Sequence, residues 1–108
     1  MKQLAFKMNL SSGNVAEYTK RHNEIDQTHP GISKALKEAG VSNYSIFYDP
    51  QTKTLFALWH MTEDNTTDDL VNNPAVKEWW AFMNDGIMEY NAEGQPVAVT
   101  LERVFHLA

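Results

Sequence analysis

The 108-residue chain contains no cysteine. That removes disulfides, thiolate nucleophiles and sulfur-ligated metals together, and leaves His and carboxylate side chains as the available metal donors. Positive charge is sparse too. Nine Lys and Arg stand against 14 Asp and Glu for a net charge of −5, and no basic run exceeds two residues. Such a chain neutralises neither a phosphate backbone nor an anionic bilayer, so nucleic acid and membrane are not expected partners. The acidic balance does not by itself select a cationic substrate, because solvated cytosolic surfaces usually carry it. No apolar stretch approaches the ~20 residues of a membrane span, and Met1 to Met8 hold no run of signal-peptide length, so the expected location is the cytoplasm. The five glycines are scattered and form neither a phosphate-cradling loop nor a dinucleotide fingerprint.

What is present fits one domain over residues 1–108, since a chain of this length has no room for a second core. Hydrophobic residues make up 43% and aromatics 11%. The aromatic share is generous for so small an interior, which implies that some rings line a pocket.

Leu4, Phe6, Met8 and Leu10 alternate with polar or small residues as in a half-buried strand, and Ser11-Ser12-Gly13-Asn14 supplies turn and cap chemistry. A helix follows to about Ile25 or Asp26. His29-Pro30-Gly31 interrupts it, and a second helical piece buries Ile32, Leu36 and Ala39 before Gly40 ends it in a left-handed conformation. Asn43 to Asp49 and Thr54 to Met61 read as two strands joined by a turn at Asp49-Pro50. Thr66 to Asp69 can cap a short helix over Leu70 and Val71, and Asn73-Pro74 starts another. Val76, Trp80, Met83 and Ile87 form its expected buried stripe, with Trp79 and Phe82 flanking; Val97 to Leu107 is the expected last strand.

The order strand, helix, strand, strand, helix, strand predicts an α+β, ferredoxin-like split βαβ fold: a four-stranded antiparallel sheet with its helices on one face. Strands two and three carry apolar residues on both parities, so the bare face needs a cover. A second copy supplies it, giving an expected homodimer with a barrel-like assembly.

Val15, Tyr18, His22 and Ile25 recur at three, four and three, which sets an imidazole one turn from a phenol on an inward stripe. Four histidines raise the question of metal. His22 and His29 are seven apart across a Pro-Gly break while His60 and His106 lie in distant strands, so metal-free chemistry is favoured. Trp79-Trp80 points two indoles about 100° apart, Trp80 toward the core and Trp79 toward the stripe's edge. With Tyr18 and Tyr44 as hydroxyl partners, His22 as proton shuttle and Trp79 or Trp80 as stacking surface, these residues describe a pocket for a neutral polyhydroxylated ring. Imidazole titrates near neutrality and both takes and returns a proton, which suffices for isomerisation or epimerisation without a cofactor.

Tyr18-x-x-Arg21-His22-Asn23-Glu24-Ile25, Leu36-Lys37-x-x-Gly40 leading to Asn43-Tyr44-x-Ile46, Leu55-Phe56-Ala57, Trp79-Trp80-x-Phe82-Met83 and Val104-Phe105-His106-Leu107 together resemble the L-rhamnose mutarotase family, in order and over nearly the whole chain. The resemblance implies a dimeric ferredoxin-like fold and cofactor-free interconversion of the α and β anomers of L-rhamnose. It places the family's acid/base histidine at His22 and its sugar-binding positions at Tyr18, Tyr44, Trp79 and Trp80. The chain departs from the family where His-Asn/Asp-x-Ile usually runs directly into Trp-Pro-Glu-Leu. Here Asp26-Gln27-Thr28-His29-Pro30-Gly31-Ile32 adds three residues and puts His for Trp, and His60 and Arg103 stand where carboxylates are expected. L-fucose or another 6-deoxyhexose is therefore an alternative substrate. A non-catalytic sugar-binding domain and a dimeric monooxygenase of similar fold are alternatives of other classes.

Overall fold

Alternating apolar residues put Lys2–Asn9 into strand β1. The computed structural model describes residues 1–108. After β1 the chain runs through helices α1 (Val15–Asn23), α2 (Ile25–Thr28) and α3 (Pro30–Glu38), strands β2 (Val41–Asp49) and β3 (Thr54–Met61), a 3-10 turn at Thr67–Asn72, helix α4 (Pro74–Met83) and strand β4 (Ala98–Thr100). The sheet order is β2-β3-β1-β4, with every neighbouring pair antiparallel. This is the α+β, split βαβ arrangement that the element order predicts.

Local chemistry sets the boundaries. Asn14 Oδ1 accepts the Glu17 N–H at 3.2 Å to start α1, and Asn73 Oδ1 accepts the N–H groups of Ala75 and Val76 ahead of Pro74. The first helix is less continuous than expected. It breaks at Glu24, resumes as one turn in α2, and ends at His29, where the following proline disfavours helical backbone.

Register decides which side chains share a face. Phe6 pairs with Ala57 and Met8 with Leu55, while Ile46 and Tyr48 pair with those same β3 residues, so these side chains lie on the helix-covered side. Lys7, Phe56 and Phe47 line up on the other side. There Phe47 is 64% and Val99 51% exposed.

Two expectations need correction. The last strand is three residues long rather than the run from Val97 to Leu107. It pairs only with Phe6 to Met8, and after the Leu101 N–H donates to the Ala5 carbonyl the chain makes no further backbone hydrogen bond to the sheet. Val104, Phe105 and Leu107 are consequently exposed. The indoles also exchange places: Trp79 is buried and Trp80 half-buried. Helix α4 stops at Met83, so Ile87 is not on it, and the remaining stripe of Val76 and Met83 centres between the two indoles.

Gly40 closes the turn into β2 at φ +97°, and an added Cβ would sit 2.5 Å from Thr62 Oγ1. Gly40→Ala is expected to cost about 1–3 kcal/mol and to lower Tm by roughly 5 °C or more, as read by thermal unfolding. An unchanged Tm would show that this turn carries no backbone constraint.

Candidate functional site

Only 14 of 108 residues are buried. The interior is hollow because the helices stand off the sheet, and the gap is a cavity of about 810 Å³. That volume lies within the range of small-molecule sites. Val15, Tyr18, His22 and Ile25 all line it, so the stripe read from the sequence does face inward, but onto a void. Tyr44, Trp79 and Trp80 line the same cavity, which brings all five anticipated site residues together.

No Lys or Arg lines the cavity, and Asp68 near the 3-10 turn is the one carboxylate. The walls are mostly aromatic and aliphatic. This lining offers hydroxyls, amides and ring faces rather than charge, which suits an uncharged ligand with an apolar face. No three His, Asp or Glu side chains converge in a geometry that would hold a metal ion.

His22 is the cavity's imidazole, and its Nδ1 lies 2.8 Å from the Tyr18 carbonyl oxygen one turn back. A carbonyl only accepts, so Nδ1 carries the proton in the neutral ring and Nε2 is left with a bare lone pair. Burial pushes the His22 pKa below its ordinary value, and the hydrogen bond to the carbonyl only partly offsets this. The resting ring at neutral pH is therefore a base. It stacks on the Tyr18 ring at 4.2 Å and meets the edge of Trp79 at 5.3 Å and 89°.

The tyrosines are set oppositely. Burial raises the Tyr18 phenol strongly, and burial pushes Tyr44 up to about 12. Tyr44 keeps 38% of its surface exposed, so it is the hydroxyl end that is desolvated. Both remain neutral hydrogen-bonding groups at physiological pH.

A guanidinium fastens the helices that carry these groups. Arg21 Nε donates to Glu17 at 2.7 Å, and its terminal nitrogens donate to both Asp85 oxygens at 3.2 and 2.7 Å. The same cation lies 5.3 Å from the Phe82 ring centre. Asp85 also accepts the Ile87 N–H at 3.3 Å, which ties the turn after α4 to α1. The pairing holds the Asp85 carboxyl below the usual carboxylate range. Asp85 is half exposed, so solvent screens the attraction and the clamp matters chiefly for geometry.

The inserted segment reaches the site. His29 packs against Trp79 at 5.1 Å and Phe82 at 4.8 Å, which places Trp79 between two imidazoles. His60 and Arg103 do not line the cavity. His60 lies on the outer face between Gln3 and Asn43, and Arg103 donates to Gln3 at 3.2 Å. Sequence reasoning missed two aromatic wall residues. Trp59 meets Phe6 at 5.3 Å and Tyr44 at 5.0 Å, both edge-on, and its Nε1 is the one fully buried side-chain donor without a partner. The parity of Leu55 and Ala57 could have identified it. Tyr90 follows a turn and lies beyond any periodic pattern.

The chain resembles known proteins over its whole length. A family described as L-rhamnose mutarotase matches residues 3–107. L-rhamnose mutarotases from Formosa agariphila, Sinorhizobium fredii and Clostridium beijerinckii are 46%, 45% and 47% identical, over 99%, 100% and 99% of both chains. The crystal structure of an L-rhamnose mutarotase from Formosa agariphila matches with a TM-score of 0.87 and 44% identity over 100% of each chain.

The depressed His22 value has two readable consequences. Its imidazole should titrate below 6.5 in an NMR pH series. Because the folded value lies below the unfolded one, this group's contribution to stability is complete above about pH 6.5 and is lost as pH falls toward the folded value. A midpoint above 6.5 would contradict the assigned burial.

Proposed function

The chain belongs to the L-rhamnose mutarotase family, and from that premise we propose how its cavity interconverts the α and β anomers of the sugar. The observation that carries the proposal is the bare His22 Nε2 in a cavity without Lys or Arg. His22 Nε2 removes the proton from the anomeric hydroxyl while the ring oxygen gains one from a hydroxyl or water. The bond between C1 and the ring oxygen breaks and leaves an aldehyde. Rotation about C1–C2 presents the other carbonyl face, and closure returns both protons. The neutral resting ring thus begins as base. Acid/base assistance of this kind supplies about a hundred to ten thousandfold, enough for a reaction that also proceeds in water.

Tyr18 and Tyr44 offer hydroxyls to the sugar. Trp80, half-buried, offers it a flat face, and Trp79 fixes the imidazole from the side. The reaction needs no cofactor. L-rhamnose is the substrate favoured by the family; because His29 alters the surroundings of Trp79, L-fucose and other 6-deoxyhexoses are the comparison substrates. The readings as a non-catalytic sugar-binding domain and as a dimeric monooxygenase draw no support from the family match.

The chain is read as one domain over 1–108 working in the cytoplasm. No helix is long and apolar enough to cross a membrane. A homodimer belongs to the same proposal: Phe47, Phe56 and Val99 are exposed on the uncovered sheet face, together with Val104, Phe105 and Leu107 of the C-terminal segment. So much apolar surface is what an interface buries.

Saturation-transfer NMR should show the protein accelerating exchange between rhamnose anomers, and His22→Ala should remove the acceleration while leaving the circular dichroism spectrum intact. Full activity in that variant would discard His22 as the acid/base group. In sedimentation the protein should run as a dimer and Phe47→Glu as a monomer; a wild-type monomer at low micromolar concentration would refute the interface.

A further inference from the structure

Behind the main cavity lies a second recess of about 70 Å³, which shares Tyr18, His22, Tyr44 and the two indoles with it and is closed by Met83, Met88, Tyr90 and Pro96. It exceeds the roughly 10–15 Å³ of such volume that one water needs, so it has room for at least one. Three phenols and the imidazole border it. None of the three phenols has a hydrogen-bond partner within the protein, and burial raises the pKa of each. They are close enough that charge on Tyr44 or Tyr90 would oppose ionisation of Tyr18. Unpartnered polar groups around a water-sized space are what an internal water satisfies.

Tyr90 is the least expected member and is firmly placed. It pairs with Pro96 across a tight loop. Asn91 Oδ1 accepts the N–H groups of Glu93 and Gln95, each at 3.0 Å, which rigidifies the loop. Just before Tyr90, the Glu89 N–H donates to Asn9 at the end of β1 at 3.1 Å.

We infer that Tyr90 positions water in this recess and that this water, with the Tyr18 or Tyr44 hydroxyl, carries the proton between His22 and the ring oxygen of the sugar. The inference rests on the mutarotase reading and adds its missing acid. The anomeric O–H proton reaches His22 Nε2 and passes from Nε2 to the water, since Nδ1–H stays on the Tyr18 carbonyl. The water passes one to the phenol oxygen, and the phenol passes its own to the ring oxygen as the bond to C1 breaks. One proton leaves O1, one arrives at the ring oxygen, and no phenolate accumulates. Closure runs the same relay backward. Tyr90 touches the water rather than the sugar, so it is a positioning residue.

Two experiments test this. A high-resolution crystal structure of the sugar-free protein should show ordered water in the recess within hydrogen-bond distance of Tyr90 and of at least one of Tyr18, Tyr44 and His22. A dry recess overturns the inference. Tyr90→Phe keeps the ring and removes the hydroxyl. It should slow anomer exchange at saturating sugar by roughly tenfold or more, leave KM within about twofold, and convert a curved dependence of rate on deuterium fraction into a linear one. A variant with wild-type rate and curvature overturns the relay. Should the variant fold poorly, the water structure of the wild type decides. A wild-type protein that accelerates no anomer exchange would overturn the mutarotase reading itself, a result distinct from a dry recess.

Discussion

The hydrogen bond from His22 Nδ1 to the Tyr18 carbonyl, 2.8 Å long, decides what the imidazole can do. It selects the tautomer, turns Nε2 away from the helix backbone, and partly offsets the desolvation that lowers the ring's pKa. Both partners lie on one helix at a spacing of four, so the orientation is produced by α1 itself. Tertiary packing then secures it, with Tyr18 stacked on one side and the Trp79 edge on another. A base at neutral pH results from a backbone acceptor and burial of the ring, with no carboxylate needed to orient it.

That burial follows from the shape of the interior. A four-stranded sheet under helices ordinarily closes on a filled core. Here the fully buried side chains are few, Leu10, Leu55 and Met83 the largest among them, and a chamber of about 810 Å³ remains. The Arg21 pairing with Asp85 bridges α1 to the turn after α4 beside the chamber. Tyr44 and Trp59, packed edge-on against each other, form part of its wall. The same architecture leaves Phe47, Phe56 and Val99 exposed on the opposite sheet face.

Much of this is legible in the residues. The three-four-three spacing from Val15 to Ile25 places Tyr18 and His22 on the inner face because a 3.6-residue period has few other solutions. Asn14, Pro74 and Gly40 mark boundaries through cap and turn chemistry that tertiary contacts do not override. The strand order follows from the element order. The assignment of the two indoles did not survive, because adjacent helical residues straddle a stripe and its centre depends on where the helix stops. The last strand was read too long because alternation from Val97 to Leu107 signals apolar faces, not a pairing partner, and β1 offers only three residues to it. Tyr90 lies in an aperiodic loop whose position is set by long-range bonds to β1 and by its pairing with Pro96. His29 comes to the site only because the insertion folds back onto Trp79.

The central claim is that a neutral imidazole, with one nitrogen committed to its own helix and the other bare, meets the sugar's anomeric centre inside this chamber. A crystal structure with L-rhamnose bound tests it most directly. The account predicts the anomeric hydroxyl within about 3.2 Å of His22 Nε2, with His22 Nδ1 still on the Tyr18 carbonyl. A sugar bound elsewhere, or oriented with its anomeric carbon away from His22, would contradict it.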